Sequence, residues 1–235
     1  MKANQPSANG PDNPTENMAP RKPGRPRKTE ADTANSSLRK DIITAAARHF
    51  RLKGFEATTT RDIASATGMQ SGSPFYHFKS KNELLFTIME EGMLRAEQEQ
   101  AKTLAALAPN TSPRDALLAL VRHHLRVLHV PGSDFVPVML HEWRSISAQQ
   151  RKQIVVLKDR YEVVWQALLQ TLHDQGRIGT TPELARLMLF GAVHGTLRWY
   201  DPKQSKGKGL DDLAVEFVNA FVTPDEAKPA RRSRS

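Results

Sequence analysis

The stretch that decides the fold is Gly68-Met69-Gln70-Ser71-Gly72-Ser73-Pro74-Phe75-Tyr76-His77-Phe78-Lys79-Ser80-Lys81, together with the residues that precede it. Upstream, apolar residues recur at every fourth position: Leu38, Ile42, Ala46 and Phe50. This spacing is typical of the buried stripe of an amphipathic helix. Gly54 ends the helix, because glycine adopts the left-handed conformation after a last turn at little cost.

Two shorter helices are predicted next. Thr59 and Thr60 offer hydroxyl caps for the first, and Gly68 closes it. The second runs from about Ser71 to His77. Helix, short helix, glycine-led turn and short helix is the helix-turn-helix arrangement, in which the last helix enters the DNA major groove.

This region resembles the DNA-binding domain of the TetR family of transcriptional regulators. The matching residues have the order and spacing of that family: Ala45, Ala46, Phe50, Gly54, Phe55, Thr59, Thr60, Asp62, Ile63, Ala64, Gly68, Gly72, Phe75, His77, Phe78, Lys81 and Leu84. The resemblance implies sequence-specific binding of double-stranded operator DNA. The residues expected to contact DNA from the head are Thr59, Thr60, Arg61, Gln70, Ser71, Gly72, Ser73, Phe75, Tyr76, His77 and Lys81. The alternative is a three-helix bundle with no DNA role.

Composition agrees with a polyanionic partner. The 235 residues carry a formal net charge of +9, and basic proteins attract nucleic acids. The chain has no cysteine, which excludes disulfides and thiolate metal sites and fits a reducing cytoplasm. No apolar run approaches the roughly 20 residues of a membrane span, and we find no secretory signal. Long helical periods predict an all-α protein of about nine helices. We expect the protein in the cytoplasm.

Both ends of the chain are expected to be disordered basic segments. Residues 1–37 are rich in Pro, Asn and Ser, which cannot form a packed core. Within them, Arg25 and Arg27 flank a proline in a motif like the centre of an AT-hook, so we expect both arginines in the DNA minor groove. A solubilising tail, or an anchor without base preference, is the alternative. Residues 225–235 form the second basic tail.

Between these ends we predict two domains, a DNA-binding head at 38–83 and a helical effector-binding and dimerisation domain at 84–224. Ser80 and Glu83 form a capping-box pattern that starts a long connecting helix. The resemblance implies a homodimer, since a palindromic operator needs two heads at fixed spacing. The expected interface residues are Met188, Gly191, Gly195, Phe217 and Phe221. Close packing within one subunit is the other explanation of the two glycines.

The C-terminal part resembles the subgroup of TetR regulators that controls lipid, steroid and acyl-CoA catabolism. The pattern is Arg198-Trp199-Tyr200-Asp201-Pro202, a short basic loop and a final amphipathic helix. The resemblance implies a small hydrophobic effector such as an acyl-CoA, with Arg144, Arg160 or Arg198 holding its phosphates. The expected ligand-binding residues, each of which could instead be plain core, are Phe135, Met139, Trp143, Tyr161, Trp165, Phe190, His194 and Arg198.

The sequence favours a ligand-responsive repressor over other classes of protein. His141-Glu142 lacks the second histidine of a zinc-protease motif, and no phosphate-binding glycine loop occurs. We therefore expect no enzyme activity, no metal and no cofactor. Two alternatives stay open, a regulator of an efflux operon that responds to a neutral aromatic or drug-like ligand, and a ligand-blind architectural DNA-binding protein.

Overall fold

The computed structural model describes residues 30–69, 76–130, 132, 134–201, 203 and 209–224. Within these ranges every regular element is a helix, as the sequence predicts. The helices are α1 (Glu30–Lys53), α2 (Thr60–Ala66), α3 (Lys81–Ala105), α4 (Pro113–His129), α5 (Phe135–Glu142), α6 (Ala148–Asp174), α7 (Pro182–Trp199) and α8 (Leu210–Phe221). A single 3-10 turn, Trp143–Ser145, follows α5. The third helix predicted for the head lies largely outside the described residues.

The helices of the body begin at the caps that the sequence offers. Ser112, Ser147 and Thr181 each accept a hydrogen bond from the backbone N–H three residues further on. Pro113 and Pro182 follow two of these caps at positions where a missing N–H removes no helical bond. The starts of α4, α6 and α7 are therefore encoded locally.

The first helix is longer than its apolar stripe suggests. It begins at Glu30, within the stretch assigned above to a disordered arm, and not at Leu38. No proline occurs between Pro26 and Pro74, so nothing in the covalent chain forces a later start. Leu38 is partly buried and marks where α1 begins to pack on the core. Arg25 and Arg27 lie outside the described residues, and their place in the minor groove stays a prediction.

The start of α3 forms only half of the predicted capping box. The Ser80 hydroxyl accepts a hydrogen bond from the Glu83 N–H at 3.0 Å. The Glu83 carboxylate accepts from the N–H of Lys79 at 2.7 Å, and not from that of Ser80. The carboxylate thus reaches one residue further back and ties the end of the head to α3.

One continuous core joins the head to the body. In the head, α3 packs against α1, and Leu85 and Ile88 belong to the same buried cluster as Ile42 and Phe50. Further along, α3 packs against α4, α5 and α6, while α4 also contacts α7 and α8. Because α3 belongs to both parts, the head cannot move without a change in this shared core. Among the described helices, none is both long enough and apolar enough to cross a bilayer.

Candidate DNA-binding head and effector cavity

The second helix of the head begins with a complete N-cap. The Thr59 hydroxyl accepts from the Asp62 N–H at 3.1 Å, and the Asp62 carboxylate accepts from the Thr59 N–H at 2.8 Å. Hydrogen bonds from the Thr59 backbone and hydroxyl, and then from Lys53, hold the pKa of Asp62 well below its usual range. Thr59 is therefore engaged in the cap, while the half-buried Thr60 and the exposed Arg61 follow on the first turn.

Only the end of the predicted DNA-reading helix is described. The Tyr76 side chain is 91% exposed, and His77 is half-buried beside the ring of Phe78. An exposed tyrosine hydroxyl is a group that commonly contacts a phosphate oxygen. The other residues expected on this surface lie outside the described residues: Gln70, Ser71, Gly72, Ser73 and Phe75. Their contacts with bases stay predictions.

Lys81, expected on the DNA face, has a structural role within the head. Its ammonium donates to the carbonyl oxygens of Phe55 at 2.8 Å, Thr58 at 3.0 Å and Glu56 at 3.4 Å. It also lies over the Phe55 ring, 4.3 Å from the centroid. A lysine has three N–H donors, so these bonds use all of them and hold the loop between α1 and α2 against the start of α3.

Several cations of the head are neutralised within the chain. The ion pairs join Arg39 to Glu91, Arg51 to Asp134 and Lys53 to Asp62. Arg48, Arg61 and Lys79 are exposed and form no ion pair with any residue in the described ranges. These three side chains are therefore better candidates for phosphate contact than the paired cations are.

A nearly apolar cavity of about 60 Å³ lies in the body between α3, α4, α5, α6 and α7. Five of the residues expected to bind a ligand line it: Phe135, Met139, Tyr161, Phe190 and His194. Since a liquid water molecule takes up about 30 Å³, the cavity has room for about two water-sized groups. A larger ligand must therefore displace side chains of its wall.

Trp165, expected to line the cavity, lies behind its wall. It is 1% exposed, its indole N–H donates to the Gln100 side-chain oxygen at 2.7 Å, and its ring packs on Phe190 at 4.8 Å between centroids. The Gln100 amide donates in turn to the Tyr161 carbonyl oxygen at 2.9 Å. Trp165 thus supports the lining residue Phe190. Trp143 does not line the cavity either, because it belongs to the turn after α5.

The polar end of the cavity is a chain of three hydrogen-bonded side chains. The Tyr161 hydroxyl lies 2.9 Å from His124 Nδ1, and His124 Nε2 lies 2.9 Å from His194 Nε2. Burial, followed by the neighbouring His194 and His123, lowers the pKa of His124 well below its usual value. Burial, with a smaller effect of Lys158, lowers the pKa of His194 to about 4. Both rings are therefore neutral at physiological pH.

A second, more open groove adjoins the cavity. Its volume is about 370 Å³, and its lining residues are Leu140, His141, Gly191, His194, Gly195, Leu197 and Arg198. Leu140 and His194 line the cavity as well. Arg198 is exposed and reaches the groove but not the cavity. The two spaces thus meet at His194, with the apolar space inside and the cation outside.

The cavity also borders a buried ion-pair network that the sequence analysis missed. Glu162 is 8% exposed, lies 2.8 Å from Lys158 Nζ and pairs with Arg186. Arg186 also donates to the Gln166 side-chain oxygen at 3.0 Å. A buried carboxylate is tolerated when cations neutralise it. The one available signal was the i,i+4 spacing of Lys158 and Glu162 on a helix with a buried stripe.

Both ends of α5 are fixed to the head. Before it, Asp134 pairs with Arg51 of α1 at 2.7 Å. At its C-terminal end, a Glu142 carboxylate oxygen accepts from the Phe55 N–H at 2.9 Å. Beyond it, the Ser145 carbonyl oxygen accepts from the Asn82 amide at 2.8 Å. Since Phe135, Val136, Met139 and Leu140 of the same short helix line the cavity, α5 connects the cavity wall directly to the head.

The residues expected at a dimer interface lie on α7 and α8. Met188 is 50% exposed, and its neighbours Leu184 and Leu187 are exposed as well. A Cβ added at Gly191 or Gly195 would meet no described atom within 4 Å outside the backbone of its own helix, so close packing against the described residues does not explain these glycines. Phe217 and Phe221 are partly buried against the core.

Two family descriptions match the chain, one for each domain. Residues 42–88 match "Bacterial regulatory proteins, tetR family". Residues 110–222 match "Tetracyclin repressor-like, C-terminal domain". The first match covers most of the head, and the second covers most of the body.

Individual proteins are similar to this chain over most of its length. The repressor KstR2 of Mycobacterium tuberculosis (strain ATCC 25618 / H37Rv) is 44% identical over 178 residues, which is 71% of this chain and 83% of the relative. A crystal structure of AibR in complex with isovaleryl coenzyme A and operator DNA is 26% identical, with a TM-score of 0.69 over 80% of this chain and 99% of that one. A crystal structure described as superantigen PfiT is 35% identical, with a TM-score of 0.66 over 80% and 98% of the two chains.

Proposed function

Because this chain belongs to the TetR family of transcriptional regulators, we propose that it is a repressor that binds operator DNA as a homodimer and is released by an acyl-CoA thioester. The family is one of DNA-binding regulators and not of enzymes. The observation that carries the effector proposal is that His194 lines both a nearly apolar cavity and an adjoining groove that reaches Arg198. The apolar lining of the cavity suits an acyl chain, and the cation of the groove suits a phosphate-bearing carrier.

The size of the cavity supplies a mechanism for release. The cavity, at about 60 Å³, is too small for an acyl chain, so the acyl chain enters only if lining side chains move. Close-packed interiors transmit such displacements because they contain few voids to absorb them. The side chains of α5 form part of the wall, and Asp134 and Glu142 hold its ends to the head. A ligand that pushes α5 outward therefore favours a different head position, and it binds that state more tightly than the DNA-bound one.

The homodimer is supported by the exposed apolar stripe of α7. Leu184, Leu187 and Met188 continue along the helix into Gly191 and Gly195, which lack side chains and leave room for the backbone of a neighbouring helix. Glycine inside a helix costs about 1 kcal/mol relative to alanine, and a close helix contact across an interface offsets this cost. Gly191→Leu should therefore shift the protein towards monomer in analytical ultracentrifugation. Ala101→Leu, at an exposed position of α3, is the matched control, and equal behaviour of the two variants contradicts the interface.

A second effector class is favoured by one feature of the wall. The rings of His124 and Phe190 line the cavity with centroids 4.9 Å apart, and Trp165 packs behind Phe190 at 4.8 Å. Such a cluster suits a neutral aromatic ligand of an efflux regulator. A neutral ligand forms no ion pair with Arg198.

Calorimetric titration with isovaleryl-CoA, longer acyl-CoAs and the matching free acids separates the two classes. We expect the thioesters to bind, and Arg198→Ala to weaken them far more than the acids. Lys102→Ala, which removes another exposed cation, should leave both unchanged. Binding of a neutral aromatic panel with no binding of any CoA thioester contradicts the acyl-CoA proposal and supports the efflux reading.

A further inference from the structure

The hydrogen-bond chain Tyr161–His124–His194 has a direction that can be worked out from its surroundings. Tyr161 is 3% exposed, and its hydroxyl bonds to no side chain other than His124 within the described part of the chain. A buried O–H that does not donate costs about 1–3 kcal/mol, whereas an oxygen lone pair that accepts nothing costs less. The Tyr161 hydroxyl is therefore the donor, and His124 Nδ1 is the acceptor.

The remaining protons follow from this first step. A neutral imidazole carries one proton, so His124 carries it on Nε2 and donates it to His194 Nε2, 2.9 Å away. His194 is neutral as well, because burial lowers its pKa to about 4. Since its Nε2 accepts, the ring proton of His194 must be on Nδ1. The buried chain thus ends in one N–H donor that it does not use.

The position of His194 assigns a target to this donor. The residue lines both the apolar cavity and the open groove, so a ligand that occupies both spaces passes its ring. His194 forms no hydrogen bond other than that with His124 among the residues that the structure describes. A neutral N–H in a nearly apolar surrounding selects an uncharged acceptor. Lys158, a cation that lines the cavity, already pairs with Glu162, so a carboxylate would have to be buried without a counterion of its own.

We propose that the Nδ1–H of His194 donates a hydrogen bond to the carbonyl oxygen that joins the apolar chain of the effector to its polar carrier, and that Tyr161 and His124 fix the ring in the tautomer that does so. This inference rests on the proposed function and narrows it. The ligand class is a thioester, or an amide of the same shape, and not a hydrocarbon chain with a charged end. His194 is then a specificity residue, and Tyr161 is a positioning residue.

The test compares two ligands that differ in one oxygen atom. Isovaleryl-CoA and its thioether analogue S-isopentyl-CoA share the carbon chain and the carrier, but only the first has a carbonyl. The parent protein should bind the thioester about tenfold more tightly in calorimetric titration. Equal affinities overturn the assignment of His194 and leave the acyl-CoA proposal intact, whereas binding of neither compound overturns both.

Variants separate the hydrogen bond from general damage to the pocket. His194→Gln keeps an acceptor for His124 and an N–H donor for the ligand, so it should retain most of the preference for the thioester. His194→Leu should abolish the preference while still binding the thioether, and Tyr161→Phe should reduce it. His173→Leu, which changes an exposed histidine of α6 that lines neither space, is the control and should keep it. A preference that survives in His194→Leu contradicts the proposal.

A measurement on the parent protein checks the proton positions without any ligand. Nitrogen-15 NMR of histidine-labelled protein should show His124 as the Nε2–H tautomer and His194 as the Nδ1–H tautomer. The reverse pair of tautomers would remove the donor from the cavity and overturn the inference.

Discussion

Gly92 is the position where the smallest covalent change should disturb the link between cavity and head. It lies buried in α3 and faces Phe135, the first residue of α5. A Cβ added at Gly92 would overlap the Cβ, Cγ and Cδ2 atoms of Phe135 at distances below 3.0 Å. The ring atoms could rotate, but the Phe135 Cβ, at 2.5 Å, is fixed by the backbone, so Gly92→Ala must push α5 away from α3.

The expected stability change is the difference of two terms. Replacing a helical glycine by alanine stabilises a helix by about 1 kcal/mol. Overpacking a core costs about 1–3 kcal/mol, and the direct overlap with Phe135 places Gly92→Ala at the upper half of that range. We expect a net destabilisation of about 1 kcal/mol, which lowers the Tm of a chain of this size by about 2–4 °C.

A double-mutant cycle measured by thermal unfolding isolates the contact. Phe135→Gly removes all three overlapping atoms, so Gly92→Ala should cost about 1–2 kcal/mol less in that background than in the parent protein. The same variant should alter operator affinity without ligand, since Asp134 beside Phe135 pairs with Arg51 of the head. A Gly92→Ala protein that is more stable than the parent, with additive behaviour in the cycle, would refute the reasoning.

Three further changes test other parts of the account. The pKa of His194 is lowered to about 4, so between pH 6.5 and 4 the unfolded chain binds a proton that the folded chain does not. The free energy of unfolding should therefore fall by up to about 3 kcal/mol as the pH falls through this window. A free energy of unfolding that does not change with pH contradicts the buried neutral ring. Lys81→Met removes an ammonium that bonds three carbonyl oxygens and should lower stability by about 1–3 kcal/mol in denaturant unfolding, whereas an unchanged midpoint removes the structural role. Glu142→Ala leaves the Phe55 N–H without its acceptor. It should reduce the factor by which isovaleryl-CoA weakens operator binding by roughly fivefold, about 1 kcal/mol of coupling. If this factor is unchanged, the coupling runs through other contacts.

Local signals in the sequence predicted most of the helical architecture. Ser112, Ser147 and Thr181 cap helices because a hydroxyl and a following N–H are neighbours in any chain that turns there. The N-terminal limit of α1 was misplaced, because an apolar stripe reports where a helix is buried and not where it begins. The helix begins at Glu30, eight residues before the first apolar residue of the stripe, Leu38.

Contacts between distant residues were harder to predict. Lys81 looked like one more cation of a basic head, and its carbonyl partners come from a loop more than twenty residues earlier. Gln100 has polar neighbours in the sequence, yet it is 3% exposed and accepts a hydrogen bond from the Trp165 indole. His124 lies among the buried apolar residues of α4. Its bonds depend on how α4, α6 and α7 meet, which no spacing within one helix encodes.

The central claim, release from DNA by a thioester, is tested most directly by fluorescence anisotropy with an operator selected from random DNA. The labelled operator, saturated with the parent protein, is titrated with isovaleryl-CoA, longer acyl-CoAs, the corresponding free acids and free CoA. The account predicts that the anisotropy falls to that of unbound DNA with a thioester and stays high with acid or CoA alone. Unchanged anisotropy throughout the thioester series, for a protein that binds its operator, would contradict it.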